Sequence, residues 1–196
     1  MPLPIPADRL EAVARGSERV VYRLAERPGV LLKIAKGRPQ TPPPVYRYEQ
    51  ALWDARRHLQ DVPLPQIFGT VPTELGLAQV VEEIADGEGR SRTLASLATD
   101  GPLTDATLER LTEFARRAIE MGIPIHDPRA RNLLYGVRDG EAAFVIVDGF
   151  GDRALVPLKR WLPWLNARVL NRRFDQVGRE VGLIWDAAGR RFARGE

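Results

Sequence analysis

Five polar residues, each set at the end or on the buried side of an apolar segment, constrain this chain more than any other feature. Lys33 sits in Val30-Leu31-Leu32-Lys33-Ile34, Glu49 lies on a following helical pattern, and Asp127 comes just after Ile123-Pro124-Ile125-His126. Asn132 stands five residues beyond Asp127, and Asp148 closes the run Phe144-Val145-Ile146-Val147. A charge or amide in such a place needs a partner, because burying it alone costs on the order of several kcal/mol.

Strand alternation sends the Lys33 ammonium to the side opposite Leu32 and Ile34. Glu49 lies four residues after Val45 and three before Leu52, so its carboxylate is on or beside the apolar stripe of its helix. Lys33 is its natural partner, with Arg56 or Tyr46 as the alternatives.

Local patterns divide the chain into elements. Residues 17–24 and 28–36 read as a hairpin around Glu26-Arg27-Pro28-Gly29, followed by a breaker-rich linker from Gly37 to Pro44. Helical spacing runs from Val45 to Leu59 and ends before Pro63 and Pro65. Strands are expected at 66–71 and 77–84, then a polar connector at 86–92. A second helix spans 105–121, capped by Thr104 or Asp105 and stopped by Gly122-Ile123-Pro124. Two short strands, 132–137 and 143–147, flank the turn Arg138-Asp139-Gly140-Glu141. The remainder reads as helical and rich in Trp and Arg, and no internal repeat is present.

Composition narrows the chemistry. The 196 residues hold no cysteine, so disulfides and thiolate metal sites are excluded, and any metal must be held by carboxylates, amide oxygens, imidazole, water or a ligand's phosphates. The N-terminus has neither a basic leader nor an apolar run, and no stretch is long enough to span a bilayer, so a cytoplasmic protein is expected. The net charge is only +3, but basic residues gather late. Lys159, Arg160, Arg168, Arg172 and Arg173 interleave with Trp161, Trp164, Leu165, Val169 and Phe174. This tail reads either as a basic face for an anionic partner, membrane surface or nucleic acid, or as a terminal brace whose aromatics are buried, the reading we expect.

The segment Asp127-Pro128-Arg129-Ala130-Arg131-Asn132 puts a carboxylate and an amide at the two ends of one tight loop. There the Asp can orient a substrate hydroxyl, the Asn can ligate Mg²⁺, and Arg129 and Arg131 add positive charge for a phosphoryl group. The plainer reading is an Asp-Pro turn followed by a basic loop. A hairpin linking Asn132 to Asp148 would return the amide and the carboxylate to one edge, where one Mg²⁺ could bridge them.

In this order and spacing, the set resembles the protein-kinase superfamily and, in detail, the bacterial YrbL family of small kinase-like proteins, over about residues 10–175. The resemblance implies an α+β fold, a reduced bilobal kinase-like arrangement. Its N-lobe, residues 1–85, would be a small antiparallel sheet plus one helix. Its truncated, mainly helical C-lobe, residues 86–196, would hold the catalytic loop, the metal-binding Asp and basic Trp-rich terminal helices. The resemblance also implies roles. Gly16 and Ser17 belong to the nucleotide-covering hairpin, Lys33 binds the phosphates with Glu49 as its helix partner, and Glu82, Glu83 and Ile84 form the adenine-contacting hinge. Asp127 is the catalytic base or hydroxyl-orienting residue, and Asn132 and Asp148 hold Mg²⁺. ATP and Mg²⁺ are the implied cofactors.

Three departures from the family pattern shape the expectation. The covering loop has a single glycine, Gly16, and the metal motif reads Asp148-Gly149-Phe150, with its last two residues exchanged. Only the 48 residues Gly149 to Glu196 follow the metal Asp, too few for the subdomain that docks peptide substrates. The expected activity is therefore an ATP- and Mg²⁺-dependent phosphotransferase of unknown acceptor. The alternative is a non-catalytic nucleotide-sensing or interaction module acting through its basic C-terminal face.

Overall fold

Apolar runs between residues 19 and 35 are realised as two adjacent antiparallel strands, and a third strand, Leu10–Arg15, pairs beside them. The computed structural model describes residues 3–150 and 163–195. They form a mixed α+β protein with antiparallel sheets and, among the described residues, four α-helices. Two compact units divide the chain: Met1–Arg57 with Pro65–Glu83, and His58–Leu64 with Ile84–Glu196.

The first unit holds β1 (Leu10–Arg15), β2 (Arg19–Leu24), β3 (Val30–Ala35), α1 (Pro44–Asp54), β4 (Ile67–Thr73) and β5 (Gly76–Glu82). The strands lie in the order β1-β2-β3-β5-β4, all antiparallel, and α1 is inserted in sequence between β3 and β4. Register decides which side chains share a face. Leu32, Ile34 and Ala78 are buried with Tyr22, Val71 and Val80 packed against them, and Ile5, Leu10 and Leu75 complete this cluster. On the opposite face Val21, Lys33, Gln79 and Thr70 stand directly across from one another on successive strands.

Helix α1 stops at Asp54, five residues short of the Leu59 expected from its periodicity. The N–H groups of Arg56 and Arg57 both donate to the Trp53 carbonyl at 2.8 Å, which tightens the last turn. Leu59, the residue that would have prolonged the stripe, is exposed. Strand β1 was not foreseen, because Glu11 and Arg15 dilute its apolar pattern.

The second unit holds β6 (Arg92–Thr93), α2 (Leu94–Asp100), α3 (Asp105–Glu120), β7 (Leu133–Arg138), β8 (Glu141–Ile146), α4 (Pro163–Glu180), β9 (Leu183–Asp186) and β10 (Arg191–Arg194). Helix α3 begins where its cap predicts, the Thr104 hydroxyl accepting from the Thr107 N–H at 3.1 Å. Helix α2, which sequence reasoning missed, starts in a reciprocal Thr93–Ser96 capping box. Strands β6-β7-β8 form a sheet, and Asp139 and Gly140, both at positive φ, make the β7–β8 turn. His58–Leu64 belongs here: Ile146 N–H donates to Pro63 C=O at 3.1 Å and Arg138 Nη1 to Val62 C=O at 2.7 Å.

The tail corrects the expectation of a wholly helical C-terminus. After α4 the chain forms the antiparallel hairpin β9–β10, and Asp186 Oδ1 accepts the N–H groups of Ala188 and Gly189 to close its turn. The Trp185 ring packs, tilted, 4.8 Å from Phe192 and 5.2 Å from Phe174, whose ring meets Phe114 of α3 edge-on at 6.1 Å. Trp185 is thus a buried brace of α3 and α4. Lys159, Arg160 and Trp161 lie outside the described residues, and the side chains of Trp164 and Leu165 do too. No helix among the described residues is long and apolar enough to cross a membrane.

Candidate functional site

Asp127, Asn132 and Asp148 come together through the backbone of their own segments. The β7–β8 ladder pairs Leu133 with Ile146, and one residue further the Val147 N–H donates to the Asn132 carbonyl at 2.9 Å. Asn132 and Asp148 therefore flank the same end of one hairpin. The Gly149 carbonyl accepts from the N–H groups of both His126 (2.8 Å) and Asp127 (3.1 Å), tying the loop to the residue after Asp148. Glycine is required there: φ is +76°, and a Cβ would lie 2.5 Å from the Asp127 carbonyl oxygen.

Within the loop, Asn132 Nδ2 donates to the Asp127 carbonyl at 3.0 Å, which fixes which edge of the amide carries the nitrogen. The Asn132 N–H donates to Arg129 C=O at 2.8 Å, closing a short 3-10 turn over Ala130–Asn132. Asp148 Oδ1 accepts its neighbour's N–H, from Gly149, at 2.9 Å, and Asp148 is exposed. An amide oxygen and a carboxylate are hard donors, a set that fits Mg²⁺, which takes one or two protein carboxylates together with substrate phosphates. Among the described residues no group of three or more His, Cys, Asp or Glu side chains gathers as an all-protein metal cage.

Arg129 and Arg131 differ in their surroundings. Arg129 Nε donates to Asp127 Oδ1 at 3.1 Å and its Nη1 to Glu180 Oε1 at 2.9 Å. Those two carboxylates, Glu180 first, raise the Arg129 pKa above its ordinary value. Arg131 is exposed on the 3-10 turn. Glu180, the last residue of α4, was not singled out from sequence; it lies 51 residues from Arg129 and no local pattern links them.

In the first unit Lys33 is 6% exposed and Glu49 1% exposed. Sequence reasoning paired the two, but the Glu49 carboxylate is held by Arg19, whose Nη1 lies 2.9 Å and 3.0 Å from its two oxygens. Arg19 was missed because it opens a strand beside a glycine turn, where an exposed arginine is the ordinary reading. The Tyr46 hydroxyl donates to Lys33 C=O at 2.7 Å and accepts from Ala35 N–H at 2.9 Å, pinning α1 to the end of β3. Burial pushes the Tyr46 phenol above its ordinary pKa.

The turn expected to cover a nucleotide, Gly16-Ser17-Glu18, is closed by Gly16 N–H to Arg19 C=O at 2.9 Å, with Gly16 and Ser17 exposed. Gly16 is not at positive φ, and a Cβ there would meet Arg19 C=O at an ordinary 3.4 Å. Of the expected hinge, Glu82 N–H donates to Gln66 C=O and Glu83 N–H to Gly29 C=O, both at 2.9 Å. The Glu83 carboxylate is ion-paired to Arg23, and Ile84, in the second unit, gives its carbonyl to Ser91 Oγ at 3.0 Å. Gln79, next to Lys33 across the β3–β5 pair, is 1% exposed, and neither atom of its amide has a hydrogen-bond partner among the described residues.

Comparison with known proteins places the chain. It is 29% identical over 114 residues to "Uncharacterized protein YrbL" of Escherichia coli (strain K12), covering 56% of this chain and 54% of that protein. The same figures hold for the protein of that name from Shigella flexneri. The chain thus spans about half the length of the curated relatives it matches. The family model for PhoP regulatory network protein YrbL matches residues 8–182, nearly the whole chain and all five polar residues from which the reading began, so the chain belongs to the YrbL family.

Proposed function

We propose that this protein is an ATP- and Mg²⁺-dependent phosphotransferase of kinase-like design. The observation that carries the reading is the tie between the Asp127–Asn132 loop and Asp148, made by Gly149 C=O and by Val147 N–H to Asn132 C=O. Phosphoryl transfer asks little covalent chemistry of a protein; it asks for positioning and for charge at the phosphates. On this reading Asp127 accepts or orients the proton of the incoming hydroxyl, and Lys33 binds nucleotide phosphates. Glu82, Glu83 and Ile84 flank the adenine. Asn132 and Asp148 would hold Mg²⁺, which when bound neutralises charge on the phosphates. Arg131, exposed on the loop, supplies further positive charge. A five-stranded antiparallel sheet with one helix between its third and fourth strands supports the kinase-like arrangement.

A second reading has its own support. Arg168 and Arg172 are exposed on α4, and the covering turn carries one glycine. A nucleotide-sensing module that works through this basic face, in a regulatory network such as the family's description names, would keep the fold without catalysis. The deciding experiment is thermal stabilisation of the purified chain by ATP with Mg²⁺, against ATP with EDTA, followed by an assay of ATP turnover. Stabilisation with turnover supports the enzyme, stabilisation without turnover supports the sensor, and no response to nucleotide removes both.

A further inference from the structure

We propose that Glu180 is the positioning residue of the Asp127 loop, the group that holds Arg129 in place and through it orients the Asp127 carboxylate. An acid in the last turn of a helix opposes the macrodipole, so Glu180 sits where its charge is unfavourable unless something outside the helix takes it up. Both of its oxygens are taken up by the loop. Oε1 accepts from Arg129 Nη1 at 2.9 Å and Oε2 from the Ala130 N–H at 2.8 Å. Ala130 is 2% exposed with Glu180 in place, so the carboxylate stands where water would otherwise meet that N–H.

The chain of contacts continues to the reacting groups. Arg129 Nε donates to Asp127 Oδ1 at 3.1 Å, so one guanidinium bridges two carboxylates. Ala130 opens the 3-10 turn that carries Asn132, and Asn132 Nδ2 returns to the Asp127 carbonyl. Glu180 thus holds the loop at two adjacent residues, with the Asp that orients the hydroxyl on one side and the Asn that would hold the metal on the other. The backbone beside it is closely packed. Gly178 packs against the chain beyond α4 so closely that a Cβ there would lie 2.6 Å from Leu183 C=O, and the Val181 N–H donates to Gly178 C=O at 3.0 Å. Removing the Glu180 charge leaves Arg129 a single acid, Asp127, and removing its oxygens as well takes the acceptor from the Ala130 N–H.

The catalytic part of this inference rests on the phosphotransferase reading, and two readouts on the full chain keep the two apart. Amide hydrogen exchange at Ala130 and Asn132 needs no activity, while MgATP turnover reads the chemistry. Glu180→Ala should speed exchange at both amides and lower kcat about tenfold or more, with KM for MgATP changed less than about twofold, as expected for lost positioning. Glu180→Gln keeps an oxygen for the Ala130 N–H but no charge for Arg129. It should restore most of the exchange protection and little of kcat, and it stands in if the alanine variant does not fold. Unchanged exchange at Ala130 in Glu180→Ala, or a lowered melting temperature with kcat intact, overturns the proposal. If the parent protein shows no response to MgATP, the phosphotransferase reading fails, and the exchange experiment still decides whether Glu180 holds the loop.

Discussion

Arg19 Nη1 contacts both carboxylate oxygens of Glu49, at 2.9 Å and 3.0 Å, in an ion pair whose side chains are 9% and 1% exposed. The pair joins β2 to α1 across 30 residues of sequence. Breaking a buried pair on one side strands a charge and costs about 3–5 kcal/mol, whereas replacing both partners with packed apolar groups is often neutral. Arg19→Met should therefore destabilise the chain strongly, and Arg19→Met with Glu49→Met should recover most of the loss. Chemical denaturation of the two single variants and the double variant gives the coupling. A coupling for Lys33 with Glu49 as large as that for Arg19 with Glu49 would return Glu49 to Lys33.

Lys33, Asp148 and Asp127 should separate by role. Lys33→Met is expected to weaken ATP binding while the protein stays folded. Asp148→Asn, which deletes a charged ligand for a hard cation, should abolish the Mg²⁺-dependent part of that binding. Asp127→Asn should leave binding nearly unchanged and remove turnover. Calorimetric titration with ATP, with and without Mg²⁺, checks all three. Equal losses of metal-dependent binding in the two aspartate variants would show that the roles are wrongly divided.

Gln79 should be a liability to stability. Its amide is buried without a hydrogen-bond partner among the described residues, and such a group costs about 1–3 kcal/mol. Gln79→Met, close in volume and free of polar atoms, is expected to raise the denaturation midpoint. A lower midpoint would mean that the amide finds a partner in solution, such as a bound water, and ATP affinity of the variant would then tell whether that partner matters to Lys33 beside it.

The C-terminal region should behave as a brace. Trp185 meets Phe174 and Phe192 and donates its Nε1–H to Asn171 Oδ1 at 3.0 Å, so Trp185→Ala should cost about 3–5 kcal/mol. Charge reversal at Arg168, Arg172 and Arg173 should leave the melting temperature within a few degrees of the parent. Binding to duplex DNA or anionic vesicles at moderate salt should be absent in both. Saturable binding that falls steeply with salt and disappears on charge reversal would instead favour the interaction module.

The locally coded parts of the fold are legible in the amino-acid sequence. The hairpins β2–β3 and β7–β8 announce themselves through apolar runs on either side of Pro28-Gly29 and Asp139-Gly140. Helix α3 does so through its Thr104 cap and its stripe of Leu111, Phe114 and Ala115, because caps and turns act over three or four residues. The β7–β8 hairpin also made the approach of Asn132 and Asp148 legible, since antiparallel register is a matter of counting. The remaining features depend on groups distant in sequence that meet only once the chain has folded. Whether Glu49 pairs with Lys33 or Arg19 turns on how far α1 lies along the sheet, and both cations share the face opposite Leu32 and Ile34. Glu180 reaches Arg129 across 51 residues, and Gly149 owes its necessity to an Asp127 carbonyl that would lie 2.5 Å from a Cβ. The β9–β10 hairpin hid for the same reason. Four-residue strands carry too little periodicity to be seen alone, and Trp185 and Phe192 are held as strands by the aromatic contacts they make with Phe174.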